Sequence, residues 1–595
     1  MQVRSINALK NQYLTGGLSP SKMIHLINEK IDNEDSSIWI HRVSKDNLHK
    51  RAAELEKVPP EELPLYGIPF AVKDNIDVAG CPTTAGCPDF SYLPDSHAQV
   101  VDLLLEAGAI LMGKTNMDQF ATGLVGTRSP YGIPGNSFNP DFIPGGSSSG
   151  SAVAVAKGLV SFALGTDTAG SGRVPASFNN LAGFKPTRGT ISCRGIVPAC
   201  KSLDCVSIFA SQIQDINEVM LIAAQSDPKD PFSRKSQPDS DKKTIESPRV
   251  ALMNHDQWEF FGDELARLAY EESVEVLKDA GMSTVSVDVG PFLGVAKLLY
   301  GGPWVAERYL ATQTLIEKSP NSFLPETLAI IQAGKNPTAL EVFQAQYQLA
   351  DYKNQSIEFW EEFDFLALPT TGTIYTQEEI ARDPIGLNSN LGHYTNFMNL
   401  LDLCGCAVPT SFREDGLPAG LTLYAPAFHD QQVLDWSGKI HLSAKTGAGL
   451  EKNFIPEPAK IRNDESTLDL FVCGAHMTGL PLNHQLTELG AEFIKEVSTG
   501  PEYQMVALPP LGSLPERPGL VRVTEKTQPL PGEIWRMDSK NIGSFLKKIS
   551  YPLGISQIIL EDSTCEYGFC CDSAGAGDGR DITEFAGWRN YLERG

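Results

Sequence analysis

The chain of 595 residues contains no apolar run approaching the roughly 20 residues that a membrane span needs. Its opening stretch, MQVRSINALKNQYLTGG, has no apolar segment of the kind that drives secretion. No C-x-x-C pair is present, and the 11 cysteines are odd in number, so neither a disulfide framework nor a zinc site is expected. Cys404 and Cys406, like Cys570 and Cys571, read as core fillers. Positive charge is scarce, with 49 Lys and Arg against 73 Asp and Glu and a formal net charge of −24. Nucleic acid is excluded on that ground, because phosphate contacts require clustered cations. No internal repeat or low-complexity tract is visible. These absences point to a cytoplasmic protein without metal, membrane or nucleic-acid partner.

What is present is globular in composition, with 42% hydrophobic and 21% charged residues. At roughly 100–250 residues per domain the chain holds two or three domains, or one large core with a smaller module. Its acidity sets a condition on function: an anionic substrate would be repelled by the global field, and a local cation must overcome this.

Residues 1–60 read as helical, with SPSKMIHLINEKI opening on a Ser cap followed by Pro. From YGIPFAVKDNID onward, short apolar runs alternate with helical stretches such as HAQVVDLLLEAGA, the pattern of a layered α/β core. The polar, Pro-rich stretch over 226–248 reads as a surface excursion. Composition changes again at KNFIPEPAKIRNDESTLD, after which LFVCGAH opens a new strand. The expected division is 1–455, a linker at 456–466, and a small α+β or barrel-like module over 467–595.

GAILMGKT, Gly108 to Thr115, formally fits the phosphate-loop pattern. Its variable positions are Ala, Ile, Leu and Met, which form a strand, and the segment before them is helical, so no nucleotide site is expected. PGGSSSGS, Pro144 to Ser151, has the composition of a flexible linker. It runs straight into the apolar AVAVAKGLVSFALG, which places its serines inside a packed domain.

Three segments carry the candidate chemistry: GIPFAVKDNID with Lys73, PGGSSSGS with Ser147 to Ser149, and GTDTAGSGRVP with Ser171. Small residues around Ser171 allow a tight turn whose amides, from Thr168 to Ser171, can face one developing oxyanion. Such donors contribute about 3–4 kcal/mol each to transition-state stabilisation. A serine nucleophile requires a base. His97 is the only histidine between Lys73 and Ser171, and it reads as an exposed residue at a helix start. Lys73, between apolar residues at a strand end, is the better base, provided that burial lowers its pKa from near 10.4.

Together GIPFAVKDNID, GKTNMDQFA, PGGSSSGSAVAVAKG and GTDTAGSGRVPASFNNLAGFKPTRG resemble the amidase signature family of serine hydrolases. The resemblance covers roughly residues 60–435, with the motifs in family order. It implies a mixed β-sheet core covered by helices on both faces. It also implies a Ser-cisSer-Lys triad: Lys73 as base, Ser147 as bridging cis-serine and Ser171 as acylating nucleophile. The oxyanion hole would be formed by the amides of Thr168, Ala169, Gly170 and Ser171, with Asp167 and Arg173 as a bracing ion pair. The chain departs from the family at Ser149, often glycine, and in AGSGR where GGSIR is frequent; neither departure removes a triad hydroxyl.

The substrate is addressed by LLYGGPWVAERYL, Leu298 to Leu310. Pro303 reads as a helix start, with Tyr300 just before it and Arg308 within the helix. This segment, with DQFATGLVGTRSPYG, is similar to that of allophanate hydrolases in the family, in which a tyrosine and an arginine meet the substrate. The resemblance implies hydrolysis of the terminal amide of allophanate to ammonia and N-carboxycarbamate, without a cofactor. A guanidinium grips a carboxylate through parallel hydrogen bonds, so Arg308 would answer the charge condition. Gly123 and Gly126 would shape the pocket floor or simply make tight turns. VCGAHMTGLPLNHQL and DITEFAGWRNYL resemble the domain appended in that subgroup, similar in fold to γ-glutamyl cyclotransferases. There His476, with Asn483 or Gln485, would promote loss of carbon dioxide from N-carboxycarbamate, or His476 would be structural. Functional coupling to a urea carboxylase and a homodimer are expected. Alternatives are an amidase for another small amide such as biuret or malonamide, the glutaminase subunit of an amidotransferase, and a non-catalytic scaffold on the same fold.

Overall fold

A computed structural model describes residues 5–235, 245, 247–457, 467–510, 516–523, 527–561, 565–572 and 575–594. The chain separates into two compact units, Met1–Lys460 and Ile461–Gly595. Most of the expected linker, and most of the polar stretch after residue 235, lie outside the described residues.

The first unit is built on one mixed sheet of eleven strands. In chain order they are β1 (Trp39–Arg42), β2 (Pro69–Lys73), β3 (Ile110–Thr115), β4 (Phe162–Asp167), β5 (Ala182–Lys185) and β6 (Cys205–Ala210), followed by β7 (Arg249–Met253), β8 (Ser283–Val287), β9 (Phe365–Pro369), β10 (Leu403–Phe412) and β11 (Pro418–Pro426). Their order across the sheet is β1-β3-β2-β4-β6-β5-β10-β11-β9-β7-β8. The strands β3, β2 and β4 run parallel and are buried along their whole length. That is why their sequences are continuous apolar runs and not alternating ones.

The helices begin with α1 (Ile6–Leu14), α2 (Pro20–Asp32), α3 (Lys45–Leu55), α4 (Gln99–Glu106) and α5 (Ser149–Ala156). Ser19 caps α2 by accepting from Lys22 N, Pro20 occupies its first position, and Met23, Ile24, Ile27 and Ile31 form its buried stripe. The first sixty residues are not wholly helical, however. The aromatic and β-branched run around Trp39 forms β1, which pairs antiparallel with β3 and covers that edge of the sheet. The serine run leads into α5 at Ser149, and the small side chains of that helix are all buried against β2, β3 and β4. GAILMGKT is the strand β3, preceded by α4, as its apolar residues predict. Beyond Asp227 the polar excursion is pinned where described: Arg234 makes a two-pronged contact of 2.8 Å each with Asp402.

The second unit holds β12 (Thr467–Val472), β13 (Glu492–Ser498), β14 (Tyr503–Leu508), β15 (Arg517–Arg522), β16 (Pro531–Asp538), β17 (Leu553–Ile559), β18 (Cys565–Cys571) and β19 (Arg580–Asp581). They form a five-stranded sheet, β13-β16-β12-β18-β17, and a three-stranded one, β15-β14-β19. Its core gathers Leu470, Phe471, Tyr503, Trp535 and Trp588. All 11 cysteines are free thiols. No helix among the described residues is long and apolar enough to cross a membrane. No cluster of His, Cys, Asp or Glu among them is placed to hold a metal ion.

Candidate active site

The parallel pairing of β2 with β4 sets Val72 opposite Leu164, so Lys73 and Thr166 emerge at the same end of adjacent strands. The loop before α5 brings Ser147 there, and the turn after β4 brings Ser171. Lys73 Nζ lies 2.7 Å from Ser147 Oγ, and Ser147 Oγ lies 2.9 Å from Ser171 Oγ. The Gly146–Ser147 peptide is cis. All three side chains are buried. Lys73 Nζ also donates to Thr166 Oγ1 at 2.8 Å, and the Asn75 carboxamide donates to the same oxygen at 3.3 Å.

Desolvation brings the pKa of Lys73 down to about 7, although Asp118, Asp204 and Asp167 pull it upward. The amine therefore exists in its base form near neutral pH. A hydroxyl both donates and accepts. Ser147 is thus placed to take the proton of Ser171 while passing its own to Lys73.

The turn after β4 is held by the buried pair Asp167–Arg173. Arg173 Nε reaches Asp167 Oδ2 at 2.9 Å, and Nη2 reaches Oδ1 at 3.1 Å. Burial works against the Asp167 charge, but the Arg173 guanidinium holds its carboxyl below the usual carboxylate range. The same carboxylate accepts the amides of Gly170 at 2.8 Å and Gly172 at 3.1 Å. This corrects one expected oxyanion donor: the Gly170 N–H is directed into the brace. The amides of Thr168, Ala169 and Ser171 have no protein acceptor assigned to them among the described residues. Thr168 is oriented from its side chain, which donates to Asp204 Oδ1 at 2.6 Å.

Asp118 anchors the shelf beneath Ser147. Its amide donates to Ser147 O at 3.1 Å, and its carboxylate accepts from Gly126 N at 3.0 Å and Arg128 N at 2.9 Å. Gly123 and Gly126, with φ of 156° and 76°, turn the chain around that carboxylate. A Cβ on Gly123 would fall 2.7 Å from Asp118 Oδ2, and one on Gly126 would fall 2.5 Å from Gly145 O. Tight packing of the turn accounts for both glycines.

Tyr300 lies in the last turn of the helix Gly290–Gly301, not in a loop before the next one. The helix ends at Gly302, and Pro303 precedes a new helix, Val305–Lys318, in whose first turn Arg308 stands. Arg308 is buried, 2% exposed. Nη1 donates to Ala121 O and Thr122 Oγ1 at 3.1 Å each, and Nη2 donates to the Tyr300 hydroxyl at 3.0 Å. Phe120 and Ala121 both take left-handed φ values of 52° to present those oxygens, a conformation costing about 1 kcal/mol or more per residue. No carboxylate among the described residues lies within ion-pair distance of Arg308. Burial opposes its charge, while Tyr300, Cys200 and the more distant carboxylates of Asp204 and Glu307 favour it. Its charge also contributes to lowering the Lys73 pKa, so the two cations share one neighbourhood.

His97 belongs elsewhere. It is half-buried, not exposed, and its Nδ1 accepts the Ala79 amide at 3.1 Å. Ser148 is buried beside the relay and donates to Thr166 O at 3.3 Å, whereas Ser149 reaches Asn116 O only at 3.5 Å.

In the second unit, His476 stacks on Phe569 with ring centroids 5.1 Å apart, and its Nε2 lies 3.2 Å from Gln485 Oε1. Burial lowers its pKa, while Gln485 raises it. Asn483 donates to His476 O at 2.8 Å, which shapes the turn and leaves Gln485 as the side chain facing the ring. A small cavity of about 60 Å³ is lined by His476, Gln485, Lys548 and Arg517. Arg517 is 6% exposed, and its Nε has no partner among the described residues.

Sequence reasoning missed Thr166, Asn75, Asp118, Asp204 and Arg517. Asn75 and Thr166 sit within the KDN and GTDT motifs themselves, a signal that could have found them. Arg517 stands alone in sequence and gave none.

The amidase family profile matches residues 22–434, and that of the allophanate hydrolase C-terminal domain matches 468–593. A urea amidolyase of Saccharomyces cerevisiae is 40% identical over 97% of this chain, which covers 32% of that protein's length. The chain thus spans about a third of such relatives. A structure of Kluyveromyces lactis allophanate hydrolase is 37% identical, with a TM-score of 0.76, over 100% of this chain and 99% of that one. A glutamyl-tRNA(Gln) amidotransferase chain of Prochlorococcus marinus is 32% identical over 69% of this chain and 92% of that protein.

Proposed function

The chain belongs to the amidase family of amidohydrolases, and from that premise we propose that it hydrolyses the terminal amide of allophanate. The observation that carries this choice is Arg308, a buried cation with no carboxylate partner among the described residues, held beside Tyr300 and close enough to Lys73 to lower its pKa. A site of this kind favours an amide that also carries a carboxylate.

In the proposed reaction Ser171 Oγ attacks the terminal carbonyl carbon as its proton passes through Ser147 to neutral Lys73. The amides of Thr168, Ala169 and Ser171 receive the oxyanion. The C–N bond then breaks, the proton returns by the same relay to nitrogen, and ammonia leaves. Water attacks the acyl-enzyme, gives its proton to the relay, and releases N-carboxycarbamate with Ser171 restored. In the second unit, Arg517 and Lys548 favour a dicarboxylate. We assign His476 the delivery of one proton to the carbamate nitrogen as a C–N bond breaks and carbon dioxide leaves. Supply of allophanate falls to a urea-carboxylating activity.

Ammonia release from allophanate, biuret, malonamide and glutamine tests the reading, with Ser171→Ala as control. Allophanate should give the highest kcat/KM, and the variant should lose about four orders of magnitude or more. Preference for glutamine, or activity surviving in Ser171→Ala, would overturn it.

A further inference from the structure

Beside Tyr300 lies a cavity of about 510 Å³ whose lining includes Leu124, Lys297, Tyr300, Asn388, His393 and Asn396. Three contacts tie its wall to the reacting groups. The Tyr300 hydroxyl receives Arg308 Nη2. The Leu124 carbonyl accepts the amide of Gly146, the residue before Ser147, at 2.7 Å. Thr395, next to Asn396, packs on the nucleophile turn so closely that a Cβ on Gly170 would lie 2.6 Å from its Oγ1.

The lining suits an anionic amide. Lys297 is exposed and stands three residues before Tyr300 on one helix, so both side chains project to the same side. No carboxylate among the described residues pairs with it. Asn396 is 8% exposed, and its Oδ1 has no hydrogen-bond partner among the described residues. A buried carboxamide oxygen left in this state is answered only by water or by a ligand N–H. Leu124, Ala296 and Val305 supply the apolar remainder of the wall.

We propose that this cavity is the access chamber of the active site, in which Lys297 draws the substrate carboxylate inward and Asn396 accepts a hydrogen bond from the substrate amide N–H. The inference rests on the anionic-amide reading of Arg308. It resolves the charge condition in two stages. An exposed cation raises the local concentration of an anion that the net charge of −24 repels, and the buried Arg308 then fixes it. Lys297 is accordingly a steering residue and Asn396 a positioning residue.

The test measures kcat and KM for allophanate, and for neutral malonamide as substrate or competing ligand, between ~0.01 and ~0.3 M ionic strength. Lys297→Gln should lower kcat/KM for allophanate about threefold at low salt and Lys297→Glu about tenfold, with both converging on the wild type at high salt. The kcat should stay unchanged, and malonamide should be indifferent to both variants. Asn396→Ala should raise KM about fivefold for both amides, because both bring N–H donors. Equal losses on allophanate and malonamide in Lys297→Gln, an unchanged salt slope, or an unaltered KM in Asn396→Ala would overturn the chamber. A wild-type enzyme that ignores allophanate would instead overturn the proposed function, and the anion role of Lys297 with it.

Discussion

Lys73 and Lys114 are both fully buried on adjacent strands, β2 and β3, yet among the described residues only Lys114 has a carboxylate partner, Asp74 Oδ1 at 3.3 Å. Lys73 meets hydroxyls alone, those of Ser147 and Thr166. Burial lowers the pKa of both lysines, and at Lys114 the adjacent carboxylate of Asp74 opposes that fall. The sheet thereby separates a structural lysine from a proton acceptor at equal depth.

That difference fixes a pH profile. In the proposed reaction the neutral form of Lys73 is the base, and burial brings its pKa down to about 7. The kcat/KM should therefore rise with pH through that region and level off above it. Thr166→Val removes an oxygen that accepts from Lys73 and stabilises its charged form more than its neutral one. The rising limb should move to lower pH in this variant. A limb that stays in place, measured with the same substrate, would show that another group titrates.

Arg308→Met separates binding from structure. Loss of a charged donor to a carboxylate should lower kcat/KM on allophanate about 100-fold, equivalent to about 3 kcal/mol. Neutral malonamide should lose far less. Because no carboxylate among the described residues pairs with the buried guanidinium, the variant should melt no lower than the wild type. A large fall in melting temperature would mark Arg308 as structural.

The opposite holds for Arg173. Arg173→Met leaves Asp167 buried and unpaired and loosens the amides of Gly170 and Gly172, which that carboxylate accepts. The first unit should lose about 3–5 kcal/mol, visible in its thermal or denaturant transition. The double variant Asp167→Asn, Arg173→Met should recover part of that loss, since no orphan charge remains.

Much of this site is legible in the sequence because its chemistry sits in contiguous motifs. Lys73 could be judged buried from its apolar neighbours, and Ser171 placed on a tight turn by the small residues around it, whereas the choice of Ser147 among the three serines rests on the family resemblance. Where reading failed, the cause was contact between distant segments. The serine–glycine composition could not show that Ser149 to Ser151 begin a helix packed on three strands. The Gly170 amide is taken by Asp167 only because Arg173 fixes that carboxylate. Tyr300 and Arg308 belong to successive helices whose junction a Gly-Gly-Pro run marks without giving its register. Arg517 and Asn396 have no motif around them, and their importance lies in an atom that finds no partner among the described residues.

The second unit carries the last prediction. Burial keeps His476 neutral near pH 7, and a neutral imidazole is a weak proton donor. A dicarboxylate bound at Arg517 and Lys548 would raise its pKa by opposite-charge attraction, so that the ring becomes an acid only with its ligand present. His476→Asn should leave the first ammonia release unchanged and lengthen the lag before carbon dioxide appears. Spontaneous decarboxylation supplies its own proton in acid, so the lag should be most pronounced at alkaline pH and shrink as pH falls. Arg517→Met should produce the same lag by weakening ligand binding, and excess N-carboxycarbamate should shorten it there but not in His476→Asn. A lag equal to the wild type in both variants would leave His476 with only its packing role against Phe569.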